Sequence, residues 1–104
     1  MEPPLAERPY MPGYGIAEEP AGMLPWSWAE ERLTSSTNYW LATVRPDGRP
    51  HVMPVWGVWA DHAFLFSSSP GSRKVRNLRA EPRCVVTTQD PVRPVVLEGV
   101  AEFF

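Results

Sequence analysis

Cysteine is almost absent. Cys84 stands alone, so no disulfide can close within the chain and no cysteine-based metal cluster can form, which suits a reducing compartment and makes the cytoplasm the expected location. Long apolar runs are missing as well. No stretch approaches the roughly 20 residues of a membrane span, and the first residues carry acids and prolines in place of a basic and then apolar leader. Neither signal-directed export nor a membrane partner is expected. The chain also lacks Gly-x-Ser-x-Gly, His-Glu-x-x-His and any paired-cysteine motif, so no catalytic side chain is assigned. His51 and His62 have no carboxylate or cysteine set around them, and read as surface residues with no metal between them.

At 104 residues the chain is one domain. Its formal net charge of −2 hides an asymmetry. Residues 1–31 hold Glu2, Glu7, Glu18, Glu19, Glu30 and Glu31 against Arg8, whereas residues 73–83 hold Arg73, Lys74, Arg76, Arg79 and Arg83 against Glu81. A basic patch of that size suits one small anion, and the overall acidity argues against a nucleic-acid partner. Residues 1–25 contain six prolines with Gly13, Gly15 and Gly22, a composition that propagates neither helix nor ladder. They read as an N-terminal arm. Tyr10, Met11, Tyr14, Ile16, Met23 and Leu24 give it enough apolar surface to lie ordered across this subunit or a second one.

The domain proper is expected over residues 26–104. Ser27-Trp28-Ala29-Glu30 matches the Ser-x-x-Glu capping box and predicts a helix to about Ser35, with Trp26, Ala29 and Leu33 on its inner face. Residues 38–45 and 50–59 predict two strands joined at Pro46-Asp47-Gly48-Arg49, where Asp47-Gly48 supplies the left-handed positions of a tight hairpin. A reversal at Ala60-Asp61-His62 leads to a third strand from Ala63 to about Ser68, and the pattern to this point is a meander. Pro54 removes a ladder donor, so its strand should be at an edge, bulged, or against a ligand, and Gly57 suggests close approach nearby. Residues 83–88 and 94–102 complete five strands, and the expected class is mainly β, a small curved antiparallel sheet or barrel with short helices. The chain stops on Phe103-Phe104 at the end of a strand, which suggests a domain continuing beyond it.

Between the third and fourth strands, Pro70-Gly71 predicts a turn and Ser72 the N-cap of a helix to about Ala80. Arg73 and Lys74 then fall in its first turn, where the helix dipole costs a cation about 0.3–1 kcal/mol. A phosphate held by the free N–H groups, the serine hydroxyls and Lys74 would offset that conflict. The plain alternative is a solvated basic helix end.

Taken in order, Tyr39-Trp40-Leu41-Ala42-Thr43, Asp47-Gly48-Arg49-Pro50-His51-Val52-Met53-Pro54-Val55-Trp56, Ser67-Ser68 with Ser72-Arg73-Lys74-Val75-Arg76-Asn77-Leu78, and Val96-Leu97-Glu98-Gly99-Val100-Ala101 resemble a known family. It is the split-β-barrel flavin- and deazaflavin-dependent oxidoreductases, the superfamily of pyridoxamine 5′-phosphate oxidase. The resemblance covers residues 26–102. It implies that the tricyclic ring of a cofactor lies beside Pro54, Val55 and Trp56, bonded by their backbone. It places the cofactor's phosphate at Ser67, Ser68, Ser72, Arg73 and Lys74, with Asn77 serving either the structure or the phosphate shell. It also implies a homodimer with the cofactor at the interface, and members that extend past residue 104. The subgroup looks like the proteins that use the deazaflavin F420, with FMN as the alternative. F420 carries a phosphodiester and a polyglutamate tail, and Arg73, Arg76, Arg79 and Arg83 beyond Lys74 offer positive surface for them.

The expected activity is hydride transfer to a small planar organic acceptor, in which the cofactor carries the chemistry and the protein supplies orientation and a dry pocket. Trp56 reads as a pocket wall, and Trp40 and Trp59 as core or dimer interface. A flavin-, deazaflavin- or tetrapyrrole-binding protein without turnover is the rival reading, and an interaction domain whose basic helix meets an acidic partner is a third.

Overall fold

Tyr39, Leu41 and Thr43 are buried while Asn38, Trp40 and Val44 are exposed, and this period of two makes Asn38–Val44 the central strand, β1, of the protein. The computed structural model describes residues 4–8, 11–16 and 22–104. Helix α1 (Trp26–Ser35) precedes β1, and β2 (Pro50–Trp56), β3 (Val58–Ala60), β4 (Ala63–Leu65), helix α2 (Arg73–Ala80), β5 (Arg83–Thr88) and β6 (Val96–Val100) follow it. Four strands form an antiparallel sheet in the order β2-β1-β5-β6, and β3 pairs with β4 as a separate hairpin. In that register Tyr39 lies between Val55 and Thr88, and Leu41 between Met53 and Val86.

Leu33, Tyr39, Leu41, Val55, Leu78, Val86 and Val95 form the core, with Trp26, Trp28, Ala29, Trp59, Phe64 and Phe66 packed around it. Each fully buried aliphatic side chain there contributes about 1.5–3 kcal/mol of apolar transfer. Tyr39 joins the layers. Its hydroxyl lies 2.5 Å from the carbonyl oxygen of Leu33 and 2.8 Å from that of Ser36, satisfying acceptors at the C-terminus of α1, while its ring centroid is 4.6 Å from that of Phe64. Burial raises the phenol's pKa, which keeps the donor proton in place.

The structure departs from the sequence expectations at several points. The predicted strand 50–59 breaks at Gly57 into β2 and β3, so there are six strands in two sheets, and the meander gives way to a sheet in which β5 returns beside β1. A Cβ at Gly57 would lie 2.7 Å from the carbonyl oxygen of Leu65 and closer still to the Phe64 ring; only glycine lets the backbone pass there. The third strand ends at Leu65 and the last spans Val96–Val100, both shorter than expected. Pro25, not Ser27, is the N-cap of α1, with no side-chain cap. The expected capping box does not close because Glu30 Oε1 instead accepts from the indole Nε1 of Trp59 at 3.3 Å. In the first hairpin turn only Gly48 is left-handed (φ 91°), and Asp47 accepts from Arg49. Asp61 and His62 take positive φ in the turn between β3 and β4.

Of the N-terminal arm, residues 1–3, 9–10 and 17–21 lie outside the described residues, and Tyr10 with them. Ala6, Glu7, Arg8 and Gly22 to Pro25 line a cavity of about 280 Å³ against Trp26, Trp28, Ala29 and Val95. Gly57→Ala is expected to cost about 1–3 kcal/mol through overpacking, read as a lower urea midpoint. An unchanged midpoint would mean that the passage beside Phe64 and Leu65 is not tight.

Candidate functional site

The first hairpin decides which side chains meet. Its register sets His51 directly across from Thr43, on the same sheet face as Tyr39 and Leu41. Thr43 is buried, and its Oγ1 accepts from Nδ2 of the fully buried Asn77 at 3.0 Å. That bond fixes the roll of α2. Arg73 stands one turn before Asn77 on the same side of the helix, with Lys74 beside it. Arg45, two residues past Thr43, completes the group from the sheet.

The electrostatics agree with this placement. Burial first, and then the charges of Arg45, Arg73 and Lys74, hold the His51 imidazole below its ordinary pKa. Nδ1 of His51 is enclosed and has no hydrogen-bond partner. Among the described residues, Arg45, Arg73 and Lys74 form no ion pair. Three cations outside any ion pair, beside a half-buried imidazole, give this corner a positive potential that favours an anion, with the Asp47 carboxylate within reach of the Arg45 charge.

The serines frame the same corner. Ser72 caps α2, its Oγ accepting from Val75 N at 3.4 Å, and lies 3.2 Å from Ser68 Oγ. Ser67 is exposed at the rim, and Asn77 sits beneath, its Nδ2 bonded to Thr43. Pro54, Val55 and Trp56 all lie on β2, but alternation points Pro54 and Trp56 outward, with Trp56 83 % exposed, and Val55 into the core. What the three share is backbone. β2 is an edge strand of its sheet, so half its backbone groups face away from β1, and Pro54 is tolerated opposite Trp40. From His51 to this stretch is about 10–17 Å at ~3.3 Å per residue.

Other cations turn elsewhere. Arg79 lies over the Phe103 ring at 4.6 Å, Arg83 pairs with Glu81, and Arg76 is exposed beyond the buried face of α2. His51 and Arg45 were absent from the sequence assignment, and His51, read there as a surface residue, is half-buried. The signal was available: the Asp47-Gly48 turn and strand alternation together place His51 on the face of Val55 and opposite Thr43. His62 is also half-buried, its Nδ1 3.9 Å from Glu30. Among the described residues no three His, Cys, Asp or Glu side chains gather as a metal site, and no helix is long and apolar enough to cross a membrane. Burial raises the Cys84 thiol's pKa, leaving it a poor nucleophile.

Residues 28–104 match the family described as pyridoxamine 5′-phosphate oxidase. The chain belongs to that family. Solved structures share its split-barrel fold. An F420 reductase is 31% identical with a TM-score of 0.65, over 71% of this chain and 61% of its own. A conserved hypothetical protein from Mycobacterium tuberculosis is 30% identical with a TM-score of 0.70, over 77% of this chain and 53% of its own. A heme-binding protein from Mycobacterium smegmatis is 28% identical with a TM-score of 0.63, over 77% of this chain and 37% of its own. This chain therefore spans less than two thirds of each. No curated protein matches the sequence.

The residues fit a phosphate-bearing cofactor of this family at its anionic end, because Arg45, Arg73 and Lys74 form no ion pair among the described residues and the enclosed imidazole nitrogen beside them has no hydrogen-bond partner. Asn77→Ala removes the bond that aligns α2 and strands Thr43, so a loss of about 1–3 kcal/mol is expected in chemical denaturation. A change within error would show that Val75 and Leu78 alone hold the helix.

Proposed function

We propose that the chain is the cofactor-binding barrel of an oxidoreductase that uses F420, or alternatively FMN, to transfer a hydride to a small planar organic acceptor. The observation that carries this is the unpaired cationic corner at one end of an edge strand, in a chain of this family. In this reading Ser68, Ser72, Arg73 and Lys74 hold the cofactor's phosphate with Ser67 at the rim, and Asn77 sets the helix beneath them. The open edge of β2 at Pro54, Val55 and Trp56 offers backbone groups to the ring, and the exposed Trp56 indole offers a flat apolar wall. A bound flavin or deazaflavin supplies the hydride chemistry; the chain positions it and excludes water.

Similarity to an F420 reductase at 31% identity favours F420. The charge argument is weaker than the sequence suggested, since Arg79 and Arg83 are engaged by Phe103 and Glu81, and FMN stays the alternative. Similarity to a heme-binding protein supports the second reading, a tetrapyrrole- or flavin-binding protein without turnover.

A homodimer belongs to the same proposal. The sheet face opposite the core exposes Trp40, Val44, Val52, Trp56, Val96 and Val100, with Pro54 among them, an apolar surface that water does not favour. A second copy laid on it would bury that face and bring a second chain to the edge of β2. A cytoplasmic setting accords with the single unpaired Cys84.

Titration followed by cofactor fluorescence is expected to give saturable binding, tighter for F420 than for FMN; no binding of either would remove the cofactor reading for this chain. Lys74→Ala should weaken a phosphate-bearing cofactor about 10- to 100-fold and its dephosphorylated form little, as expected for a lost charge-assisted bond. Turnover of quinone or enone acceptors with reduced cofactor separates enzyme from binder. Val96→Glu is expected to shift the protein to monomer in sedimentation, and an unshifted species would place the dimer contact elsewhere.

A further inference from the structure

We propose that His51 makes anion capture at this site proton-linked: its imidazole takes up a proton as a phosphate group settles among Arg45, Arg73 and Lys74. The proposal deepens the cofactor reading above and rests on it for the identity of the anion.

Three structural observations converge on His51. Its place across from Thr43, which Asn77 ties to α2, puts it on the sheet face against which that helix packs. Its Nδ1 is enclosed and unpartnered, an arrangement that costs stability unless a group arrives to bond it. Its charged surroundings are of one sign: Arg45 from the end of β1, and Arg73 and Lys74 from α2. On the approach to its own strand, Asp47 is paired with Arg49 at 2.8 Å and also feels the charge of Arg45, so it offsets that cation only from a distance. Glu81, at the far end of α2, is committed to Arg83.

Burial first, and then the unfavourable company of three cations, disfavour the protonated ring and hold the His51 pKa below its ordinary value. An anion reverses the balance. Once its charge offsets the three cations, the protonated ring gains attraction and presents both nitrogens as donors. The sign follows by linkage. Above the pKa of the bound state affinity is flat; as pH falls through that value affinity rises by up to about tenfold per pH unit, and it levels off below the pKa of the free state. Phosphodiesters and sulfate keep their charge across this range, so with those probes the slope belongs to the protein. A phosphate monoester, which loses charge near pH 6, would mask it.

The test uses the full chain. The pH titration of His51 is followed by NMR with and without sulfate, and with and without F420, with His62 as the internal reference. The expected result is an upward displacement of the His51 titration by each anion while that of His62 stays in place, together with an F420 affinity that tightens several-fold from pH 8 to pH 6. His51→Gln should flatten that dependence. A His51 titration unmoved by saturating anion, or a pH dependence kept by His51→Gln, overturns the inference. The sulfate arm decides it whether or not a cofactor binds. If neither F420 nor FMN binds at any pH while sulfate moves His51, the cofactor reading fails and the proton-linked anion site stands. If F420 binds with His51 unmoved, the reverse holds.

Discussion

The hydrogen bond from Asn77 to Thr43 is the constraint on which the site depends. Both partners are buried, so the pair is worth more to the fold than a surface contact, and breaking it leaves a polar group without water or protein to satisfy it. It fixes α2 against β1 at one point and one roll angle. Arg73 and Lys74 then have no freedom to swing their backbone away from the sheet, although their own charges would favour separation from Arg45. The burial of Val75 and Leu78 on the same helix supplies the apolar energy, and the amide supplies the register.

The central position of β1 explains the rest of the architecture. Its inner face carries Tyr39, Leu41 and Thr43, which join α1, the core and α2 in turn. Its outer face carries Trp40 and Val44 toward solvent, and β2, β5 and β6 extend that apolar surface with Val52, Trp56, Val96 and Val100. A chain of this size cannot cover both faces of a four-stranded sheet with two short helices. The same economy leaves β2 at an edge of its sheet with unpaired backbone groups.

Much of this was legible because it is local. Asp47-Gly48 specified the first hairpin and its register, Ser72 specified the start of α2, and alternation along residues 38–44 specified which side chains face inward. The errors are instructive. Ser27-x-x-Glu30 satisfies the capping pattern, but Trp59, distant in sequence, offers Glu30 a donor that the pattern cannot see. Residues 50–59 are uniformly strand-like, and the break at Gly57 comes from Phe64 and Leu65 crossing it. His51 lacked neighbours in sequence that signal chemistry, since its cationic neighbours come from Arg45, just past the end of β1, and from a helix more than twenty residues on.

By itself the sequence determined the mainly β class, the two helices, the first hairpin and the family pattern, because turn chemistry, capping and side-chain alternation act over a few residues. Tertiary structure alone decided that β5 returns beside β1, that Arg79 is drawn off to Phe103, and that His51 stands among three cations. Those outcomes depend on which surfaces bury each other, a competition among segments far apart in the chain whose result no local pattern encodes.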